Sequence, residues 1–260
     1  MSIVDLNGIS RIYGEGDTEV RALDDIDLLI EPGEIVALLG PSGSGKTTLL
    51  NIIAALDTPT SGNYSFTGEE LELGDVGKMT YFRQKNIGYI FQFFNLLHDL
   101  TALENIMLVQ DLSGKRDKEY ALELLKQVGL KGLEDRFPSQ MSGGQRQRVA
   151  IARSLASRPK MMLGDELTGN LDSETSNKVL ETLVEICKKE GMTVLFVTHD
   201  RTLTKYATRV LQLESGKIIS DNAGGLSTIA GQVEFAAKDV MKGAKKIAGK
   251  VLEFADDIIG

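Results

Sequence analysis

The chain has 260 residues, of which 42% are hydrophobic and 25% are charged, as in an ordinary globular protein. This apolar content is enough for a substantial core, which excludes a disordered chain. The formal net charge of −8 at pH 7 is opposite to the basic footprint of nucleic-acid-binding domains, so we expect no nucleic-acid partner.

Short apolar runs separated by turns dominate the first third of the chain and predict strands. The run at 35–39, Ile-Val-Ala-Leu-Leu, leads into a glycine-rich segment, after which residues 46–56 predict a buried helix. Further strands are predicted at 20–23, 26–30, 63–67 and 86–92.

The middle of the chain has a different sequence pattern. Helical periodicity over about 95–157 predicts an inserted helical lobe. Two wholly apolar runs follow at 161–164 and 193–197, separated by a helix. Such runs indicate strands buried on both faces, as in a central, mostly parallel sheet. A hairpin at 209–220 closes this domain, which we place at residues 1–220.

The end of the chain has a different pattern. Residues 221–225, Asp-Asn-Ala-Gly-Gly, predict a linker, and residues 226–260 predict an amphipathic helix. Its apolar positions are Ile229, Val233, Ala236, Val240, Ala244, Ile247, Val251, Ala255 and Ile258. Three placements fit this pattern: packing on its own domain, contact with another subunit, or a position on a membrane surface. Its alanine-rich apolar side favours protein over lipid, and our hypothesis is that it strengthens assembly.

Three features of the sequence indicate the cellular compartment of the protein. Cys187 is the single cysteine, which suits a reducing environment, and we expect it to be partly buried in a helix. No run approaches the roughly 18–20 apolar residues that a membrane span needs. The start of the chain lacks the pattern of a signal peptide. We therefore expect a cytoplasmic protein whose membrane role, if any, depends on a partner.

Residues 40–48 match the phosphate-loop pattern G-x-x-x-x-G-K-[ST] and lie between the strand predicted at 35–39 and a predicted helix. Backbone N–H groups of such a loop surround phosphates, and the helix dipole favours the negative charge. Lys46 is placed to neutralise the β- and γ-phosphates, and the Thr47 hydroxyl to coordinate Mg²⁺. The expected ATP-binding residues of the loop are Gly40, Pro41, Ser42, Gly43, Ser44, Gly45, Lys46, Thr47 and Thr48.

Two adjacent carboxylates, Asp165 and Glu166, end the apolar run at 161–164. Ligands of parallel sheets lie at this edge. We expect Asp165 to hold Mg²⁺ through water and Glu166 to act as the general base that orients the attacking water. Taken alone, the pair is equally well an acidic strand end; beside a phosphate loop that alternative loses weight.

A third motif begins at Met141-Ser-Gly-Gly-Gln. Ser142 and Gln145 have the S-x-x-Q spacing of a capping box, which predicts the start of a helix there. Its N–H groups form a second anion site, while a simple capped surface helix is the alternative. Two phosphate cradles in one chain are explained if the second serves the nucleotide of another subunit.

The order of these motifs resembles the ATPase subunits of ABC transporters, over residues 1 to about 220. The segments 12–23, 91–97 and 100–106 are similar to the branch that contains lipoprotein-releasing, macrolide-exporting and cell-division ATPases. The resemblance implies a P-loop NTPase core with a central, mostly parallel sheet, an antiparallel β subdomain and the helical lobe.

The resemblance also implies roles for residues that would be unremarkable alone. Tyr13 would stack on adenine, Gln92 would contact Mg²⁺ and the lytic water, and His199 would touch the γ-phosphate. The catalytic set would be Glu166, His199, Gln92 and Lys46, and the metal set Thr47, Gln92 and Asp165. Residues supplied in trans would be Ser142, Gly143, Gly144, Gln145 and Asp172.

The function implied is ATP hydrolysis in a head-to-tail dimer of cassettes, with a second copy or a close paralogue. ATP-driven dimerisation would drive separate integral membrane permease subunits from the inner face of the cell membrane. Phe93, Phe94, Leu96 and Leu97 would offer apolar contacts to the membrane subunit. The alternative function is a weakly active cassette that serves as a nucleotide-dependent scaffold or regulator.

Two positions depart from the family pattern. Leu167 stands where proline usually follows the catalytic glutamate, and Gly164 replaces the commoner alanine. A residue other than proline restores an N–H and loosens φ, so we expect a more mobile loop before Asp172 and slower or differently regulated hydrolysis.

Overall fold

The structure is a computed structural model and describes residues 1–167 and 171–223. Its larger sheet has six strands in the order β10-β9-β3-β8-β7-β6. They are β3 Ile35–Leu39, β6 Ile87–Ile90, β7 Met161–Gly164, β8 Thr193–Val197, β9 Arg209–Glu214 and β10 Lys217–Ala223. All neighbours pair in parallel except β9 and β10, which form an antiparallel hairpin. The predicted central, mostly parallel sheet is confirmed.

A smaller antiparallel sheet covers one face of the larger one, in the order β2-β1-β4-β5. Its strands are β1 Val4–Tyr13, β2 Val20–Ile30, β4 Ser61–Phe66 and β5 Glu69–Glu70. Between the two sheets lies an apolar core that also contains α1, Lys46–Ile53. This is the antiparallel β subdomain that the family resemblance implies.

Helices cover the other face of the larger sheet. They are α3 Ala102–Leu112, α4 Lys118–Gln127, α5 Gly143–Leu155 and α6 Ser173–Glu190, and they share a second apolar core. Strand β3 shows why the sheet is buried on both sides. Ile35, Ala37 and Leu39 belong to the helical core, whereas Val36 and Leu38 belong to the core under the small sheet. A run without polar residues is what this position in a fold requires.

Several predicted boundaries need correction. The runs at 20–23 and 26–30 form one strand, because Asp25 takes a left-handed φ of 56° where the β1–β2 register shifts and the strand continues. The helix predicted over 46–56 ends at Ile53. Strand β10 extends to Ala223, three residues into the predicted linker at 221–225. Cys187 is fully buried in α6 rather than partly, and burial raises the pKa of its thiol to about 12.

The strands β1 and β5 and the helix α2, Val76–Asn86, have no counterpart in the sequence analysis. Residues 95–157 contain helices and turns with no strand. Among the residues that the structure describes, no helix is long and apolar enough to cross a bilayer. The helix predicted over 226–260, residues 224 and 225 of the linker and the segment 168–170 lie outside the described residues.

Candidate active site

The phosphate loop connects the buried strand β3 to the N-terminus of α1 and passes close to β2. Gly45 precedes the helix with a φ of 103°, and a Cβ there would lie 2.3 Å from the carbonyl oxygen of Ala22. Only glycine fits this position. Lys46 follows, and its Nζ donates to the carbonyl oxygens of Gly40 at 3.0 Å and Pro41 at 2.8 Å. Burial lowers the pKa of Lys46, while Glu166 and Asp165 oppose this effect.

Asp165 faces the loop from the end of β7. Its position is fixed by its own N–H, which donates to the carbonyl of Ile90 on β6 at 3.0 Å. The Thr47 hydroxyl lies 3.2 Å from one carboxylate oxygen and 3.4 Å from the other. Burial raises the pKa of Asp165, and the neighbouring Glu166 raises it further, whereas Thr47 and Lys46 act in the opposite direction. The net effect is a raised pKa, so burial and Glu166 together outweigh the stabilisation that Thr47 and Lys46 give to the charged carboxylate.

The donor set at this point fits Mg²⁺. A threonine hydroxyl and one carboxylate are hard oxygen ligands, and Mg²⁺ usually takes one or two carboxylates, keeps several waters and takes its other ligands from substrate phosphates. Thr47 and Asp165 would hold the ion beside Lys46, which is the arrangement expected when the phosphates arrive with the metal.

Glu166 lies beside two of the other predicted catalytic residues, Gln92 and His199. Its Oε2 accepts a hydrogen bond from Gln92 Nε2 at 2.8 Å, and its Oε1 lies 3.8 Å from His199 Nδ1. The three residues come from the ends of β7, β6 and β8, which are adjacent strands. Glu166 has a φ of 46°, a left-handed conformation that is uncommon for a residue other than glycine. Strained backbone of this kind clusters at functional sites.

A cavity of about 330 Å³ joins the loop to the carboxylate. It is lined by Val20, Arg21, Ala22, Ser42, Gly43, Gly45, Lys46, Thr47, Thr48, Glu166, Ser215 and Gly216. We call it the phosphate-loop cavity. The contributions of β2 and of the β9–β10 turn were not foreseen from the sequence. Ala22 and Gly216 have no reactive side-chain groups and only shape the wall of the cavity.

Tyr13 is not among the residues that line this cavity. Its hydroxyl donates to Asp57 at 2.6 Å, and the Arg11 guanidinium lies 4.5 Å from the centre of its ring. The ring is nevertheless 39% exposed, so one part of it is free for contact. Stacking on adenine stays a prediction.

A second cavity, of about 600 Å³, lies at the N-terminus of α5. Its lining includes Ser142, Gly143, Gly144 and Asp172 and shares no residue with the phosphate-loop cavity. We call it the signature cavity. The predicted capping box is confirmed, because Ser142 Oγ accepts from the N–H of Gln145 while Gln145 Oε1 accepts from the N–H of Ser142.

Asp172 caps α6 on the other side of the signature cavity. Its Oδ1 accepts from the N–H groups of Glu174 at 3.1 Å and Thr175 at 3.0 Å, and its Oδ2 accepts from the Thr175 hydroxyl. These bonds lower the pKa of Asp172, that from the Thr175 N–H most. Two helix N-termini therefore border one cavity, which favours an anionic occupant.

Two arginines of α5, not foreseen from the sequence, connect this helix to the segment after Gln92. Phe94 and Asn95 both have a left-handed backbone, with φ of 60° and 49°. The Arg153 guanidinium donates to both of their carbonyl oxygens, at 2.8 Å for Phe94, and Arg146 lies 5.3 Å from the centre of the Phe94 ring. Burial lowers the pKa of Arg153. The only sequence signal is the spacing of seven, which places both arginines on one helix face.

Known proteins resemble this chain over most of its length. A family model described as ABC transporter matches residues 23–169. The lipoprotein-releasing system ATP-binding protein LolD of Geobacter metallireducens is 43% identical over 85% of this chain and 99% of its own length. The macrolide export ATP-binding/permease protein MacB of Mannheimia succiniciproducens is 44% identical over 85% of this chain but only 35% of its own length.

Among solved structures, the dimeric post-hydrolysis state of the ATP-binding cassette MJ0796, bound to ADP and Pi, matches with a TM-score of 0.78 and 38% identity. The match covers 85% of this chain and 98% of that one. The phosphate loop, the paired carboxylates and the capped signature helix thus occur here within a fold and a sequence that both match. The chain belongs to the ABC transporter family, as an ATP-binding cassette with ATPase activity.

Proposed function

We propose that this chain hydrolyses ATP at sites shared between two cassettes, each site pairing the phosphate-loop cavity of one with the signature cavity of the other. The carrying observation is that predicted site residues line each of two cavities and that these cavities have no lining residue in common. One cavity holds the lysine and the carboxylate, and the other offers capped helix N-termini. The dimeric state of the MJ0796 cassette supports the same arrangement for this chain.

Within each shared site the chemistry is divided among a few groups. Lys46 neutralises the β- and γ-phosphates once they displace it from the loop carbonyls. Thr47 and Asp165 would hold Mg²⁺, and the ion would supply charge neutralisation on the phosphate oxygens. Glu166 accepts a proton from the attacking water, and Gln92 orients its carboxylate. His199 lies beside Glu166 and reaches the γ-phosphate.

The force produced by dimer closure passes to a separate membrane subunit through the surface around Phe93. Phe93 is 70% exposed and Leu97 is 49% exposed, whereas Leu96 is buried in the helical core and Phe94 packs against it. Two of the four predicted contacts are therefore available to a partner. A groove of about 340 Å³ nearby is lined in part by Phe91, Leu97 and Asn105 and offers the receiving site.

The choice of partner follows from the relatives. LolD is named for a lipoprotein-releasing system, and MacB carries a permease in the same chain. For this chain we propose a permease in a separate polypeptide and a place on the inner face of the membrane, reached through that permease. The scaffold alternative predicts ATP binding with negligible Mg²⁺-dependent turnover.

Mixing two inactive variants tests the shared site. Lys46→Ala damages one half of a site, and Ser142→Arg damages the half that is offered to a partner. Each variant alone is expected to be inactive. A mixed dimer has one site with both defects and one site with none. Random pairing then restores about a quarter of wild-type turnover, since half of the dimers are mixed and each has one good site of two.

Two measurements complete the test: ATP turnover against mixing ratio, and ATP-driven dimerisation by light scattering. A mixture of Lys46→Ala with wild type at the same total concentration is the control for simple dilution. Wild-type turnover by either variant as a monomer would contradict the shared site. Dimerisation that returns without turnover would show that both sites must work together.

A further inference from the structure

The bend that follows β7 carries an unusual contact between Gly164 and Leu167. A Cβ added to Gly164 would lie 2.5 Å from Cδ2, 2.6 Å from Cγ and 2.8 Å from Cδ1 of Leu167. Contacts this short do not occur between carbon atoms. The side chain of Leu167 therefore occupies the place where any other residue at 164 would carry its first side-chain atom.

Leu167 has little freedom to leave this place. Its side chain is 4% exposed and belongs to the helical core, together with Ile90 and Phe196. Those two residues are also the partners of Gly164 on the neighbouring strands β6 and β8. A methyl group added at 164 would thus meet a leucine that is enclosed on its other sides, which is the costly form of overpacking.

Glu166 lies between the two members of this contact. Its left-handed φ of 46° is unfavourable for a residue with a side chain and persists only when the surroundings hold it. Before it, the N–H of Asp165 is bonded to Ile90 on β6. After it, the Leu167 side chain is seated over Gly164. The bend is held at both ends, and the Glu166 carboxylate is thereby directed toward Gln92 and His199.

We propose that Gly164 and Leu167 form one interdependent pair of positioning residues for Glu166. The proposal rests on the role of Glu166 as general base given above. It also joins the two departures from the family pattern into one structural change. A side chain at 164 is incompatible with Leu167 in its observed position, so the glycine and the leucine occur together.

A double-mutant cycle in the full chain tests the pair: wild type, Gly164→Ala, Leu167→Ala and the double variant. The readouts are kcat at saturating Mg²⁺ and ATP, expressed per ATP-binding-competent protein, and the Kd for ATP. Gly164→Ala is expected to lower kcat at least about tenfold by displacing Glu166, with Kd within about twofold, because small displacements of reacting groups are costly.

The decisive comparison is Gly164→Ala made in the Leu167→Ala background. With alanine at 167 the space beside residue 164 is empty, so adding Gly164→Ala is expected to change kcat by less than about twofold. Leu167→Met keeps volume and apolarity and is expected to retain kcat within about threefold. If Gly164→Ala does not fold, Leu167→Ala against Leu167→Met decides, with an expected loss of about fivefold for alanine alone.

Two results would overturn the proposal. Gly164→Ala lowering kcat by the same factor in both backgrounds would show that the residues act independently. Melting temperatures that fall while kcat per competent protein stays at the wild-type value would show that the pair only packs. Failure of the underlying function is recognised separately, because Glu166→Gln would then retain turnover whatever the cycle shows.

Discussion

The phosphate-loop cavity and the signature cavity are built on opposite principles. The first gathers charged groups: Lys46 at the start of α1 and Glu166 after β7 line the cavity, and Asp165 is close enough to affect the pKa of Lys46. The second has no carboxylate free of helix capping among its described lining residues, since Asp172 is fully engaged by the N-terminus of α6. Burial disfavours the charged forms of Lys46 and Asp165 in the first half, whereas hydrogen bonds favour the charged form of Asp172 in the second.

In the shared site that we propose, this difference divides the chemistry between two cassettes. The reactive half contains groups whose charges oppose burial, and it needs the nucleotide and metal to balance them. The signature half supplies oriented N–H groups and dipoles that cost nothing to reorganise when a phosphate arrives. Arg153 and Arg146 connect the two halves, because they run from the signature helix to the segment that follows Gln92.

The largest expected effect is confined to the reactive half. Glu166→Gln removes the proton acceptor but keeps the size of the side chain, so we expect kcat to fall by about 10²–10⁴-fold while ATP still binds. An ATP-bound dimer should accumulate, because closure survives and the step that reopens it fails. Turnover assays and size-exclusion chromatography with Mg²⁺ and ATP measure both results.

The matched control is Glu123→Gln on α4, which removes the same charge from an exposed ion pair with Lys126. Its turnover is expected to equal that of the wild type. Turnover of Glu166→Gln within about twofold of wild type would remove Glu166 from the role of general base.

The next effect concerns the charge of Asp165, which opposes folding. Burial raises its pKa above the value in the unfolded chain, so the charged form lowers stability at neutral pH, and the penalty disappears as pH falls. Asp165→Asn is therefore expected to raise Tm without nucleotide, by a few degrees if the gain is about 1 kcal/mol. The same change should abolish the stabilisation that Mg²⁺ and ATP give together.

Thermal unfolding with and without Mg²⁺ and ATP checks this prediction. Asp117→Asn is the control of opposite sign, because the Tyr120 N–H and then Arg158 lower the pKa of Asp117. Its Tm is expected not to rise. If Asp165→Asn lowers the Tm of the nucleotide-free protein, the buried charge at 165 does not destabilise the fold.

Sequence reasoning reached the reactive half more completely than the rest. A phosphate loop combines glycines, lysine and threonine at fixed spacing, and apolar runs such as 193–197 have few alternatives to buried strands. Strand β1 was missed because Asn7 and Gly8 interrupt its pattern, and α2 because only Met79 and Phe82 on it are buried. Contacts between distant segments, such as Arg153 with Phe94, leave no local signal.

The pair Gly164 and Leu167 shows the same limit at short range. Both positions are departures from the family pattern, but the sequence analysis interprets only Leu167, as a matter of backbone freedom. That the leucine fills the place of the missing Cβ depends on the bend at Glu166, which no propensity predicts. A more mobile loop before Asp172 stays a prediction, since residues 168–170 lie outside the described part of the chain.

The smallest expected effect comes from a comparison of two helix caps of the same type. Ser142 with Gln145 on α5 and Thr101 with Glu104 on α3 both form complete capping boxes. Alanine at either cap position is expected to cost about 1 kcal/mol of stability. Only Ser142 lines the signature cavity, so only Ser142→Ala should weaken ATP-driven dimerisation, by about tenfold for one lost hydrogen bond to a phosphate.

Both substitutions are best placed in the Glu166→Gln background, where the closed dimer is long-lived. Dimer fraction against protein concentration, at saturating Mg²⁺ and ATP, gives the dissociation constant, and thermal unfolding gives the cost of each lost cap. Equal weakening by Thr101→Ala would assign the effect to general stability. Unchanged dimerisation of Ser142→Ala would mean that its hydroxyl only caps the helix, and the signature cavity would then bind nucleotide through backbone N–H groups alone.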